Sequence, residues 1–376
     1  MAGIYLHIPF CKQRCNYCDF YKVLSLEHTE RFTEALKSEL IERTNYLDSA
    51  SVHTIYFGGG TPSVLTYEQF NTIFETIFQQ YTVDEDAEIT LEANPDDLTS
   101  EYLHMLSGLP FNRLSIGIQS FDDAELKAVN RRHSAKQAIQ AVNDARKAGF
   151  ENISIDLIYG LPRQSFEQWQ QNLEQAFRLK PEHISAYGLT YEEGTGLWKQ
   201  REKGIVTELP DELMLRMYRY MLQQMSEKGY DAYEISNFAL AGCKSRHNSS
   251  YWEMIPYLGV GPSAHSYNGS SRQWNKPNLL SYMQGFEQHS YTPEVEMLTE
   301  NDAYNDFVMV RLRTREGIDL NVLKNKYGQP YYEWCLAQAD VYCSSGHLTR
   351  TDNRLHLTLD GIEISNSIIA SLMKTD

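Results

Sequence analysis

With 376 residues, 42% of them hydrophobic and 22% charged, the chain has ordinary globular composition and length for two domains or one large barrel with an appendage, which excludes a small stapled module, a disordered chain and a fibrous repeat. The 34 basic against 50 acidic residues leave a net charge of −16, a poor match to phosphate backbones, so nucleic acid is not expected as a partner. No stretch reaches the ~20 apolar residues of a membrane span and the start, Met1-Ala2-Gly3-Ile4-Tyr5, lacks the plan of an export signal, so the expectation is a cytoplasmic protein without an integral membrane segment.

In chain order, β-rich runs at Gly3 to His7, Thr54 to Phe57, Glu88 to Glu92, Arg113 to Ile118, Asn152 to Ile158 and His183 to Leu189 alternate with helical patterns near 28–46, 67–80, 99–107, 134–148, 165–178 and 210–228. Strands each followed by a helix are the plan of parallel βα units, and ligands gather where such strands end. The unusual residues stand just there: Gly58-Gly59-Gly60-Thr61-Pro62, Asn94-Pro95, Gln119 and Gly160-Leu161-Pro162. From 236 to about 280, rich in Gly, Asn, Ser, Tyr and Trp, no period is evident, and the segment reads as a connector or functional loop. Beyond it the pattern predicts helices over Glu300 to Arg313, Leu320 to Tyr327 and Pro330 to Ser344, a hairpin from Leu348 to Leu359 turning at Thr351-Asp352-Asn353, and a closing helix over 361–373. Helices with a β wing resemble a winged-helix unit, but Pro330 to Ser344 contains no Lys or Arg, so packing or docking is expected of it and not DNA reading.

The strongest chemical signal is the run from His7 to Cys18, in which Cys11, Cys15 and Cys18 are separated by three and then two residues. On a loop after a strand these thiols can converge, and with Asp19 and Phe20 following there is no local fourth cysteine to close a tetrahedral zinc site. Three ligands leave an open position on a four-iron cluster; buried structural cysteines, or zinc completed by a distant His, are the other readings. The glycines at 58–60 suit either a tight turn or close approach to a ligand. Glu92 is a ligand contact or a surface carboxylate, the Gln119 amide can donate and accept, and Arg131 can meet a carboxylate. Asp156 lies in an apolar strand and needs a partner, for which Arg131 or a cofactor is expected.

The three-cysteine loop resembles the signature of the radical S-adenosylmethionine (SAM) superfamily. That resemblance implies a [4Fe-4S] cluster on Cys11, Cys15 and Cys18 whose free iron is chelated by SAM, reductive cleavage of SAM to a 5′-deoxyadenosyl radical, and a partial barrel of six βα units. Tyr5 to Cys11, Gly58 to Pro62, Leu114 to Phe121, Val129-Asn130-Arg131 and Asp156 to Pro162 are similar, over almost the whole chain, to the oxygen-independent coproporphyrinogen III oxidase family. By matched position this puts SAM or cluster contacts on Tyr5, Tyr17, Gly59, Gly60, Thr61, Glu92, Gln119, Arg131 and Asp156. Phe20 stands where the decarboxylase has a fourth cysteine, and the chain begins almost at Tyr5 where the decarboxylase has a longer arm. Both departures match the HemW branch, which resembles the decarboxylase but consists of haem chaperones.

The segment Arg246-His247-Asn248-Ser249-Ser250-Tyr251-Trp252 is similar to the His-Asn-x-x-Tyr-Trp motif of that branch. An imidazole can ligate haem iron, which makes His247 the candidate and His265 its rival; anchoring a loop is the other role open to His247. Cys243, Cys335 and Cys343 are expected to be incidental or core thiols. The resemblance therefore implies a haem chaperone that binds a [4Fe-4S] cluster, SAM and haem, takes an electron from a donor and passes haem to an unknown acceptor protein, with decarboxylation of coproporphyrinogen III as the alternative. The expected architecture is α/β: a partial (β/α)6 barrel over 1–235, an irregular connector over 236–298, and a mainly helical, winged-helix-like domain over 299–376.

Overall fold

Ile4, Leu6 and Ile8 alternate with Tyr5 and His7, and in the computed structural model, which describes residues 1–375, the first set is fully buried beneath helices while Tyr5 turns into a central cavity. The same alternation shapes β1 (Ala2–Ile8), β2 (Val52–Gly59), β3 (Val83–Ala93), β4 (Arg113–Gln119), β5 (Asn152–Tyr159) and β6 (His183–Gly188), which pair in parallel in sequence order. Between and after them run α1 (Thr29–Glu42), α2 (Tyr67–Gln80), α3 (Ser100–Leu106), α4 (Asp123–Ala128), α5 (Ala135–Lys147), α6 (Phe166–Leu179), α7 (Gly196–Glu202) and α8 (Asp211–Glu227). The result is the partial (β/α)6 barrel expected. Capping boxes, Thr66 with Gln69, Ser134 with Gln137 and Ser165 with Gln168, fix where α2, α5 and α6 begin.

The helix expected over 28–46 stops at Glu42, because Arg43 is drawn inward to Glu39, the Gly259 carbonyl, Ser266 and Gln273. Glu39 is itself fully buried and also accepts from the Gly261 amide, Asn275 and the Tyr282 hydroxyl. This charge cluster ties the first helix to the segment after residue 256.

The connector expected to be irregular over 236–298 is built of regular elements. Just before it β7 (Asp231–Ala232), and within it β8 (Asn237–Ala239), continue the sheet beyond β6, while β9 (Tyr257–Val260) runs parallel to β1 on the opposite edge. Next to β9 lie β10 (His265–Tyr267), β11 (Ser271–Trp274) and β12 (Glu294–Met297), all antiparallel, with α9 (Arg246–Trp252) and α10 (Leu279–Glu287) interspersed. Among the described residues the sheet has twelve strands, in the order β12-β11-β10-β9-β1-β2-β3-β4-β5-β6-β8-β7. Strands of two to four residues complete no hydrophobic period, which is why the sequence does not reveal them.

The C-terminal unit has its own core, built on Tyr304, Phe307, Leu323 and Leu355 among others. It comprises α11 (Glu300–Leu312), β13 (Ile318–Asp319), α12 (Leu320–Ser344), β14 (Leu348–Thr351), β15 (Arg354–Leu357), α13 (Leu359–Glu363) and α14 (Ser365–Leu372). Gly328, at φ 85°, breaks α12 where two helices are expected, and Asp352 and Asn353, both at positive φ, turn the wing. The closing helix over 361–373 is instead two short ones. The unit meets the barrel through Ile235 and Tyr233, whose backbones pair with Arg313 and Arg315. No helix among the described residues is long and apolar enough to cross a membrane.

Candidate functional site

The cysteine loop leaves β1 and returns on itself: Phe10 bridges Val23, the Cys11 amide donates to the Val23 carbonyl at 3.0 Å, and the Val23 amide to that of Pro9 at 2.7 Å. Its far side is fastened to other loops by Asn16 to Val129 at 3.0 Å, Leu197 to Asn16 at 2.8 Å and Asn130 Nδ2 to the Arg14 carbonyl at 2.8 Å. Lys12 Nζ reaches the buried Asp97 at 2.6 Å, which also accepts from Ser63 and Arg132. The three cysteines are thus held by contacts independent of any metal.

Cys11 Sγ lies 3.2 Å from Thr61 Oγ1, and Arg131 Nη1 donates to Cys15 Sγ at 3.4 Å. Burial pushes the Cys11 thiol up, the Thr61 hydrogen bond opposes this, and Cys18 and Cys15 are near enough to add to it. Among the described residues no three His, Cys, Asp or Glu side chains group tightly enough for a single ion. Three cysteines without a fourth local one are the donor set of a four-iron cluster with one open iron, and the loop that carries them lines a cavity with room beside it.

At the end of β2 each glycine is demanded by the protein's own neighbours. A Cβ on Gly58 would come within 2.9 Å of Glu92 Oε1, and one on Gly59, at φ 98°, within 2.5 Å of the His7 ring. On Gly60 it would stand 2.6 Å from the Ile8 carbonyl oxygen and 2.7 Å from that of Phe10. The Gly60 and Thr61 amides donate to those same carbonyls, so the glycine strand end is zipped against the start of the cysteine loop.

Glu92 accepts from the Tyr56 hydroxyl at 2.7 Å and the Gly59 amide at 3.2 Å. Burial, with Asp156 adding to it, pushes Glu92 up to about 7 against the pull of those hydrogen bonds. Asp156 is likewise raised by burial, to about 6, although Ser185, Arg113, Ser115 and Arg131 all stabilise its charge. Arg131 is not its direct partner, contrary to expectation: that guanidinium is occupied by Cys15, by Asn94 Oδ1 at 2.6 Å and by the Gly117 carbonyl, and Asp156 accepts from Ser115 instead. Gln119 sits at φ 69° where the β4 to β5 register shifts, a bulge that turns the end of its strand. Tyr17 packs beside Val129, Ile158 and Leu197 within electrostatic reach of Arg131 and Cys15.

His247 lies in α9, whose first amides, those of Arg246 and His247, donate to Glu88 at 3.1 and 3.0 Å. Its ring is 3% exposed and stacks on Tyr56 at 4.9 Å; Nδ1 pairs with Thr54 Oγ1 and Nε2 with the Tyr251 hydroxyl, both at 2.8 Å. Burial, reinforced by His53, lowers it to about 3, so the imidazole is neutral. His265 is exposed on β10 and stacks on Trp274 at 6.0 Å. Cys335 is buried in the C-terminal core, and Cys243 and Cys343 are half-buried away from the loop.

Tyr5, Cys11, Cys15, Tyr17, Cys18, Gly59, Gly60, Thr61, Glu92, Gln119, Arg131, Asp156 and His247 all line one cavity of about 840 Å³ inside the barrel. Sequence reasoning missed three participants in it. Asn94 bridges Thr61 and Arg131, and its place in an Asn-Pro pair just past a strand was its only signal. Tyr56 links Glu92 to His247, and Arg113 lines the cavity from the start of β4; nothing in their local sequence distinguishes them from ordinary strand residues.

The profile of the Radical SAM superfamily matches residues 5–176, and that of the HemN C-terminal domain residues 298–364. The chain is 33% identical to the "Heme chaperone HemW" of Lactococcus lactis subsp. lactis over 99% of this chain and 97% of that one, and 32% identical to its Bacillus subtilis namesake over 99% of each. Among solved structures, the coproporphyrinogen III oxidase HemN of Escherichia coli, described as a radical SAM enzyme, superimposes with a TM-score of 0.86 at 23% identity, over 99% of this chain and 90% of that one, a likeness of fold.

Proposed function

Because the chain belongs to the HemW family of radical SAM proteins, we propose that it acts as its relatives are named, as a haem chaperone, binding a [4Fe-4S] cluster, SAM and haem and passing haem to an acceptor protein, with an electron donor as a further partner. The observation that carries this reading is the end-to-end likeness to the chaperones, together with the gathering of the matched residues around one cavity. Cys11, Cys15 and Cys18 would hold the cluster. When bound there, a cluster with SAM supplies one-electron reductive chemistry. The roles left to the protein are those of orientation: Arg131 faces the cluster end, where a carboxylate is expected, and Tyr5, Tyr17, Gly59, Gly60, Thr61, Gln119, Glu92 and Asp156 surround the rest of SAM. The cavity, 236–298 included, would form one functional unit with the barrel over 1–235, and 299–376 a docking unit.

The raised carboxyls give this assignment a pH signature. Glu92 at about 7 and Asp156 at about 6 stand above their unfolded values near 4, so ionising them costs stability that is intact at pH 4 and is lost as pH rises to 7. A sulfonium and amino group beside them favours the charged forms. SAM affinity, measured by calorimetry, is therefore expected to rise several-fold from pH 6 to pH 8 and to be flatter in Glu92→Gln. A pH-independent affinity in the unaltered protein would remove these carboxylates from the SAM site.

His247 is the proposed haem contact, and its geometry sets a condition: to take iron at Nε2 it must release Tyr251, at Nδ1 Thr54. With haem bound, His247→Ala should shift the Soret band while His265→Ala leaves it in place, because replacing an axial imidazole alters the ligand field directly. The opposite pattern would move the site to the exposed face of β10.

A further inference from the structure

The floor of the cavity carries a buried cation whose hydrogen-bond donors the protein leaves largely unpaired. Arg113, the first residue of β4, is 2% exposed, and its Nε and one terminal nitrogen have no hydrogen-bond acceptor. The nearest carboxylate, Glu88, is 3.9 Å from Nε, and both its oxygens already accept the first amides of α9. Asp156 feels the guanidinium but accepts from Ser115. Around Arg113 the cavity is lined by neutral groups: Ser154 bonded to His183 Nδ1 at 2.7 Å, His183 Nε2 bonded to the Tyr233 hydroxyl at 2.8 Å, and Asn248. His183 is kept neutral by burial and by Arg113 itself. A buried guanidinium lacking acceptors is costly, and the missing partner is an anion with lone pairs to offer.

We propose that Arg113 anchors a carboxylate of the molecule held in the barrel, and, on the chaperone reading above, that this carboxylate is a propionate of haem. Amino-acid recognition of SAM does not account for it. Arg113 and Gln119 mark opposite ends of the same strand, a span of roughly 20 Å at the usual rise per residue, and the cysteine loop lies at the Gln119 end. Glu92 and Asp156, between the two ends, repel a second carboxylate from mid-cavity and leave the floor as its place. A planar guanidinium matches a carboxylate in two parallel hydrogen bonds, and such a fork takes one of the unpaired donors, Nε or Nη1, together with Nη2.

The test uses the reconstituted full chain and two pairs of probes. In thermal unfolding, propionate should raise the melting temperature and propionamide should not, and Arg113→Met should abolish the difference. In Soret titrations, haem should bind at least tenfold more tightly than haem dimethyl ester, whose propionates are blocked; Arg113→Met should remove that preference and Arg113→Lys should keep part of it. Because Arg113→Met leaves Glu88 without its neighbour, the double variant Glu88→Gln with Arg113→Met, which removes that carboxylate charge as well, serves where the single one fails to fold. No selective effect of propionate would overturn the carboxylate site. A selective effect of propionate with equal binding of haem and its ester would keep the site and reject haem as its ligand. Failure of the unaltered protein to bind haem would sink the chaperone reading while the propionate pair still decides the site.

Discussion

Replacing any one of Cys11, Cys15 or Cys18 by alanine is expected to take anaerobically reconstituted protein from about four irons per chain to nearly none. The effect is large because a cluster held at three irons loses a third of its protein ligands with each change. It is also separable from unfolding. The loop is closed by the Cys11 and Val23 backbone pair and fastened by Asn16, Asn130 and Lys12, contacts in which no sulfur takes part. Circular dichroism of the three variants should therefore match the parent while iron and the brown absorbance disappear. Stoichiometric zinc, with iron unchanged in all three, would reject the cluster.

Gly60→Ala should cost about 3 kcal/mol or more in urea unfolding and prevent cluster retention. The added methyl group would meet the carbonyl oxygens of Ile8 and Phe10 at 2.6 and 2.7 Å, and neither is a side chain that can rotate away. Relief requires β2 to part from the cysteine loop, breaking the hydrogen bonds from the Gly60 and Thr61 amides and displacing Thr61 from Cys11. Gly108→Ala is the matched control, since a Cβ there meets only the Met105 carbonyl at 3.4 Å on an exposed turn. Equal stability and equal iron in the two variants would mean that the strand-end glycine has no part in supporting the loop.

The barrel was legible because each of its strands is long enough for inward and outward residues to alternate and each is followed by an amphipathic helix, as with Ile4, Leu6 and Ile8 against Tyr5. The cysteine spacing and the strand-end positions of Gly59, Glu92 and Gln119 were legible for a related reason: parallel strands bring their ends to one face whatever lies between them. The sheet extension on β9 to β12 was not, since its strands are too short to complete a pattern and are fixed by distant partners, chiefly Glu39 holding Gly261 and Asn275. Direct contacts were also hidden. That Arg131 would turn to Cys15 and not to Asp156, and that both nitrogens of His247 would be engaged by Thr54 and Tyr251, depends on residues more than a hundred positions apart in all but the last pair.

The motif resemblance to the decarboxylase and the sequence likeness to the chaperones imply different chemistry, and one product analysis separates them. Reconstituted protein with SAM and a low-potential reductant is given haem and coproporphyrinogen III together under anaerobic conditions. The chaperone account predicts a haem complex with its own Soret band and coproporphyrinogen III recovered intact; protoporphyrinogen IX and carbon dioxide in catalytic amounts would contradict it.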